Sequence, residues 1–298
     1  MEQLRPLRVL IASQQDTLDR VMATTIRHWG HESIVLPLTE SLHESEVSAV
    51  GGDVLVYDVD RPLRSTSACV VGKETCISYQ RSSTSAGRSP LNSRPVPSHE
   101  DRWRKLALST RFTIVLSSRS VSRTMLEEIG AIALLYKPFE MGRLQRYLRV
   151  LQRLVGVVQK PEVQPLREHE KARVLVVDDD VSVAHAIRQC LLYGPAQKLG
   201  YEVAVAHDGL EALEYCVDWH PHCIVTDLIM PWMNGYQVMR CLAVGSLPVV
   251  PTFVVMSALA HFEGRLEDSY LRGKVVAYIT KPFHIDCLLA AIQKGCAG

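Results

Sequence analysis

Three carboxylates, a hydroxyl and an ammonium stand at the ends of four apolar runs in the second half of this chain. Val174-Leu175-Val176-Val177 stops at Asp178-Asp179-Asp180, and Ile224-Val225-Thr226 stops at Asp227. Val254-Val255-Met256 stops at Ser257, and Ala277-Tyr278-Ile279-Thr280 stops at Lys281-Pro282. Carboxylates brought together repel one another, so the cluster either raises a carboxylate pKa or takes a hard cation. Mg²⁺ suits such a site: a small oxygen-liganded ion that keeps waters and accepts a phosphoryl oxygen. A carboxylate such as Asp227 is then placed to attack phosphorus and form an acyl phosphate. Lys281 and the cation would neutralise charge developing on the transferred group. Little other machinery is needed, because positioning and electrostatics carry most phosphoryl transfer.

Such a cluster needs strands that end on one edge. The second half alternates strand and helix five times. Strands are expected at Arg173–Val177, Glu202–Ala206, Cys223–Asp227, Thr252–Met256 and Val275–Thr280. The expected helices start near Val181 and cover Gly209–Trp219, Gly235–Val244, about Phe262–Leu271 and His284–Lys294. This alternation implies a parallel sheet with right-handed crossovers. Pro231 and Asn234-Gly235 read as the loop after Asp227.

The first half repeats the unit with weaker chemistry. Its first strand ends on Ser13-Gln14 rather than on an acidic pair. Asp58-Val59-Asp60-Arg61-Pro62 aligns with Asp227 and the four residues after it, and Ser117 and Lys137-Pro138 recur. Asp227 to Ser257 is 30 residues, whereas Asp58 to Ser117 is 59, so the first copy carries about 29 more, by subtraction. They fall in a Ser/Arg/Pro-rich stretch at about 64–102, expected to be a long surface insertion. Helix Met141–Val155 carries Leu144, Leu148, Leu151 and Leu154 on one face, flanked by Arg143, Arg146, Arg149 and Arg153. The plain reading is a docked helix with solvated arginines; the alternative is a dimer or partner surface. The expected domains are 1–157 and 172–298, joined by a linker at 158–171.

Composition narrows the classes. A chain of 298 residues, 47% hydrophobic and 22% charged, is ordinary soluble protein of about two domains. Net charge is +1, but residues 1–156 hold 21 Lys+Arg against 16 Asp+Glu and the remainder 12 against 16. No global field favours nucleic acid or an anionic membrane. No signal-type segment or long apolar run exists, so a cytoplasmic chain is expected. Its eight Cys lack a Cys-x-x-Cys pair and read as buried thiols. His220-Pro221-His222-Cys223 reads as a turn leading into a strand rather than as a metal site.

Residues 172–298 resemble the receiver domain of bacterial two-component response regulators, matching all four motif positions in order. The resemblance implies two flavodoxin-like (βα)5 units with parallel five-stranded sheets of order 2-1-3-4-5. It makes Asp227 the phosphoacceptor and Asp179 a direct Mg²⁺ ligand, with Asp178 acting largely through water and the Ile229 carbonyl as third protein ligand. Lys281 would pair with the phosphoryl group, Ser257 would hydrogen-bond it, and Tyr278 matches the switch aromatic. Pro282 matches a Lys-Pro step that is often cis. Ile229 and Leu259, both apolar at positions that govern water attack, imply slow autodephosphorylation. Output is expected from the face of the fourth helix, fifth strand and fifth helix.

The first half resembles the same family with a degraded site, a pseudo-receiver. Ser13-Gln14 replaces the acidic pair, Leu134 holds the switch position with Tyr136 nearby, and Lys137 is free to pair with Asp58. No Mg²⁺-dependent phosphorylation of Asp58 is expected. Asp58-Val59-Asp60 also resembles the Asp-x-Asp of haloacid-dehalogenase-type phosphohydrolases, but that family carries it on its first strand. The implied function is phosphorelay signalling. The donor would be a histidine kinase or histidine phosphotransfer protein, and output would pass by contact to a protein partner, with a homodimer as a further option. No direct nucleic-acid binding, membrane contact or catalytic output domain is expected. The alternatives are an interaction scaffold built on the first unit and an aspartate-nucleophile phosphatase.

Overall fold

The computed structural model describes residues 4–13, 15–36, 51–60, 106–107, 109–156, 171–194, 197, 200–247, 251–258 and 273–296. The 64–102 insertion, Gln14, Leu259, the 262–271 helix and nearly all of the 158–171 linker lie outside these residues.

The first unit runs β1 (Arg8–Ala12), α1 (Asp16–His28), β2 (Glu32–Val35), β3 (Val54–Asp58), β4 (Phe112–Ser117), α2 (Arg123–Glu128), β5 (Ala131–Tyr136) and α3 (Met141–Gly156). The second runs β6 (Arg173–Val177), α4 (Val181–Tyr193), β7 (Glu202–Ala206), α5 (Gly209–Asp218), β8 (Cys223–Asp227), α6 (Gly235–Val244), β9 (Thr252–Ser257), β10 (Val275–Thr280) and α7 (Ile285–Cys296). Val- and Ile-rich runs such as Val54-Leu55-Val56 are buried on both faces, as strands of a helix-covered parallel sheet must be. Every pairing is parallel, and the orders are β2-β1-β3-β4-β5 and β7-β6-β8-β9-β10. These are two flavodoxin-like α/β sheets of order 2-1-3-4-5, as expected. In each, all strands end on one edge, and the order reverses beside the first strand. That switch point is where open α/β sheets bind ligands.

Helix ends follow local chemistry. Asp180 caps α4, accepting from Ser182 N–H at 2.8 Å and Val183 N–H at 3.3 Å. Asn234 caps α6 in a reciprocal box with Gln237, with bonds of 2.9 and 2.8 Å. In α1 Asp16 and Asp19 occupy the first turn and Arg27 and His28 the last, matching the helix dipole.

Helix α3 joins the two units. Leu144, Tyr147, Leu148, Leu151 and Leu154 are fully buried in a core that continues into Leu213, Val238, Met239 and Leu242 of the second unit. The reading of its arginines as merely solvated is corrected for three of the four. Arg143 pairs with Asp208 at 2.9 Å, Arg146 with Glu214 at 2.6 Å, and Arg153 with Asp218. These contacts place the surplus positive charge of the first half against the surplus negative charge of the second. Backbone contacts add to them: Ser246 N–H donates to Leu154 O at 2.7 Å, and Leu134 N–H to Trp232 O at 3.0 Å.

Among the described residues, no helix is long and apolar enough to cross a membrane. Cys216, Cys223 and Cys241 are buried, whereas Cys287 is exposed and Cys190 and Cys296 are partly so. The expectation of buried thiols therefore fails for these last three, which lie on α4 and α7.

Candidate functional site

Strand β6 delivers Asp178 and Asp179 to the sheet edge, and β8 ends on Asp227. Asp178 is 1% exposed, Asp227 8% and Asp179 exposed. Ligand oxygens of all three lie within 4.8 Å of one another, the one group of its kind found among the described residues. Lys281 enters from the end of β10, its Nζ 2.7 Å from Asp178 Oδ2 and 2.6 Å from Asp227 Oδ2. The other carboxylate oxygens face backbone donors: Asp178 Oδ1 accepts from Asp180 N–H, and Asp227 Oδ1 from Ile229 N–H, both at 3.0 Å.

Packing explains why the chain turns as it does here. Gly235 opens α6 directly behind Asp227, and an added Cβ would overlap the Asp227 carbonyl oxygen and lie 2.8 Å from Thr226 Oγ1. Only glycine lets the helix N-terminus come this close. Gly235 thus opens α6 where the sequence placed the start of that helix, and Asn234 caps it at the end of the loop.

Burial raises the pKa of the Asp178 carboxyl, and the nearby Asp227 charge adds to this, although Lys281 and the Asp180 N–H oppose it. For Lys281, burial pulls the ammonium pKa down, but the two carboxylates outweigh it and the net shift is upward. One fixed cation thus bridges two of the three clustered carboxylates. This surplus of hard oxygen donors fits a divalent ion such as Mg²⁺.

Ser257 ends β9 one residue past the partner of Asp227 and is 6% exposed. Thr280 pairs with Ser257, so Lys281 follows directly, its N–H bonded to Ser257 O at 2.8 Å. Tyr278 on β10 is half-buried against the core, and Ile229 is 49% exposed. Lys281-Pro282 is cis, as is Lys137-Pro138. His222 Nδ1 accepts from Arg173 N–H at 3.0 Å, a structural contact that agrees with the turn reading.

The first unit brings together Ser13, Asp58, Ser117 and Lys137 at the equivalent edge. Lys137 Nζ lies 2.8 and 2.9 Å from the two oxygens of Asp58, as the sequence led one to expect. Ser13 Oγ donates to Asp58 Oδ2 at 3.2 Å. Leu134 is buried, and Tyr136 is exposed and packs edge-on to Trp232 of the second unit.

Sequence reasoning noted Asp60 in the Asp-x-Asp motif without its pairing to Lys137, and missed Trp232. Asp60 accepts from Ser117 Oγ and Ser118 N–H and pairs with Lys137. Trp232, in the loop after Asp227, sits at φ +68° beneath the Arg143 guanidinium, 4.6 Å from ring centroid. The Asp-x-Asp spacing was a signal for Asp60. No local signal existed for Trp232, because its partners come from the other unit.

A parallel α/β sheet with an acidic triad and a lysine at its switch point defines a flavodoxin-like fold with a candidate cation site. Comparison with known proteins narrows it: residues 174–293 match the response regulator receiver domain family, and this C-terminal region is a receiver domain. The chain is 36% identical over 123 residues to the response regulator MprA of Mycobacterium ulcerans, covering 41% of this chain and 48% of that one. It is 35% identical over 121 residues to MprA of Mycobacterium tuberculosis, covering 41% and 49%. The chain thus spans about half the length of the curated relatives it matches. Among solved structures, the signal receiver domain of a response regulator from Bermanella marisrubri is 30% identical, covering 42% of this chain and 98% of that one, with a TM-score of 0.36.

Proposed function

We propose that this protein is a response regulator of two-component phosphorelay signalling that accepts a phosphoryl group on Asp227. The observation that carries the reading is Lys281 Nζ held within 2.7 Å of both Asp178 and Asp227, beside an exposed Asp179. In the step, an Asp227 carboxylate oxygen attacks phosphorus in line. The P–N bond to the donor imidazole breaks, and its electron pair stays on nitrogen. Lys281 stays protonated and faces the charge on the transferred group. Asp179, Asp227 and the Ile229 carbonyl would hold Mg²⁺, with Asp178 contributing largely through water, and the ion would supply charge neutralisation at the phosphoryl oxygens when bound. The donor is a histidine kinase or histidine phosphotransfer protein.

Phosphorylation adds roughly −1.5 to −2 charge and three acceptor oxygens beside Ser257 and Lys281. Ser257 moves toward the new group and Tyr278 turns inward, a shift between two existing packings. Output is by protein contact. Ile229 offers no hydrogen bond to an attacking water, so the acyl phosphate is long-lived. The first unit is a pseudo-receiver, because Ser13 stands where a ligand carboxylate is needed and Lys137 already neutralises Asp58.

Labelling with acetyl phosphate and Mg²⁺, read by mass spectrometry of the intact chain, tests this. The wild type takes one phosphoryl group and Asp227→Ala takes none. Full labelling of Asp227→Ala, or labelling unaffected by EDTA, removes the assignment.

A further inference from the structure

Three donors of the first unit converge on the carboxylate of Asp60. Ser117 Oγ donates to Oδ1 at 3.2 Å, Ser118 N–H donates to Oδ2 at 2.6 Å, and Lys137 Nζ lies 2.6 Å from Oδ2. A strand-end hydroxyl, a backbone N–H and an ammonium aimed at one point form an anion seat. The same ammonium also holds Asp58, whose Oδ1 accepts from Asp60 N–H at 3.0 Å. In the second unit Ser257 and Lys281 stand at the matching strand ends, at the end of β9 and just after β10. There the residue two past the aspartate is Ile229, whose apolar side chain cannot act as an anion. The two edges therefore share their Ser and Lys donors, while the first lacks the acidic pair of the second and gains a carboxylate two residues past its aspartate.

Charge points the same way. Asp58 and Asp60 together outnumber Lys137, the buried Asp19 carboxylate beside Ser13 adds to the negative charge, and among the described residues this edge forms no acidic group that could hold a divalent ion. An incoming phosphate would meet an already negative site, and its natural place is filled by a group tethered two residues from Asp58. A ligand tied this closely competes at high effective concentration.

We propose that the first unit keeps an anion-binding seat for a tetrahedral oxyanion and closes it with its own Asp60 carboxylate. This rests on the reading of the first unit as a pseudo-receiver, and it explains the loss of phosphoacceptance by occupation as well as by the missing metal ligands. Removing Asp60 reopens the seat to inorganic phosphate.

The test is a titration of the ¹⁵N-labelled full chain with inorganic phosphate and no phosphoryl donor, following the Ser118 and Lys137 amides. In Asp60→Ala both amides shift saturably, with an apparent affinity at least about tenfold above wild type, the change expected when the seat had been open less than about a tenth of the time. Adding Lys137→Ala abolishes the response. Equal titration of Ser118 in wild type and Asp60→Ala overturns the proposal, as does a folded Asp60→Ala that leaves Ser118 unmoved. If Asp60→Ala does not fold, the isosteric Asp60→Asn decides. Loss of the charged acceptor moves its Ser118 amide proton upfield at neutral pH, and an unchanged shift rejects the seat. The underlying reading fails by a different result, phosphorylation of wild-type Asp58 by acetyl phosphate and Mg²⁺, so the two failures are distinguishable.

Discussion

Lys281 is shared between Asp178 and Asp227, with Asp179 alongside, so one positive charge faces three negative ones. Without a divalent ion this arrangement works against folding, which is a common feature of functional sites. Asp178→Asn relieves it. In EDTA we expect this variant to be more stable than wild type by roughly 0.5–2 kcal/mol, measured by urea unfolding. With Mg²⁺ added the wild type gains more, because ion binding to the native state alone stabilises it in proportion to affinity. A variant less stable in EDTA would show that the carboxylates are not in conflict. Asp60 gives the opposite case. Burial works to raise its pKa, but Lys137 and Ser118 prevail and hold it at about 2. A carboxyl depressed in the folded state contributes stability above its unfolded pKa near 3.8, and loses it as pH falls toward 2. The stability difference between wild type and Asp60→Asn is therefore largest above about pH 5 and shrinks steadily on acidification toward pH 3. A difference constant over that range would mean that Asp60 is not ion-paired.

The helix behind Asp227 separates two local effects. Asn234→Ala removes a side-chain cap from α6 and should lower stability by about 1 kcal/mol while leaving Asp227 in place. Gly235→Ala forces a methyl group against the Asp227 carbonyl oxygen. It should lower stability by about 1–3 kcal/mol, as overpacking does, and also slow labelling of Asp227, because the strand end must shift. Equal labelling rates in the two variants would rule out this link between helix and nucleophile. At this scale much was legible beforehand. Val-Ile-Leu runs ending on Asp178, Asp227, Ser257 and Lys281 marked the strands and the side chains that meet at their ends, since parallel strands fix which ends meet. The start of α6 at Gly235 was legible because Asn234-Gly235 both ends the loop and caps the helix, whereas the close approach of Gly235 to the Asp227 carbonyl was not. Asp60 was placed where a backbone carbonyl acts in the family, which hid the side chain's role. The arginines of α3 were read as solvated because their partners, Asp208, Glu214 and Asp218, lie 65 to 68 residues away in sequence.

Across the whole molecule, α3 and β5 of the first unit tie the second unit down beside the loop that follows Asp227. The leucine stripe carries most of this contact: truncating a fully buried leucine such as Leu148 to Ala should lower stability by about 2–5 kcal/mol. The half-exposed Arg146–Glu214 pair contributes at most about 1 kcal/mol. The specific element is Trp232. Its backbone lies in the left-handed region, which a bulky residue adopts only when its surroundings enforce it. Here the Arg143 guanidinium covers the ring, Tyr136 packs against its edge, and its carbonyl accepts from Leu134 N–H. Trp232 lies three residues past Ile229, whose carbonyl is assigned to the ion. Any ordering that Mg²⁺ imposed on that loop would then be expected at Leu134, and by linkage the first unit would change Mg²⁺ affinity by the same free energy. Arg143→Ala should weaken Mg²⁺ binding several-fold, within the usual 1–3 kcal/mol of coupling between sites, while leaving Asp178, Asp227 and Lys281 untouched. The direct readout is hydrogen exchange at the Leu134 amide, which should slow in wild type on addition of Mg²⁺ and beryllofluoride. In Arg143→Ala it should respond much less. Exchange at Leu134 that ignores the ion, in a protein whose Asp227 site demonstrably binds it, would show that the two units are joined without being coupled.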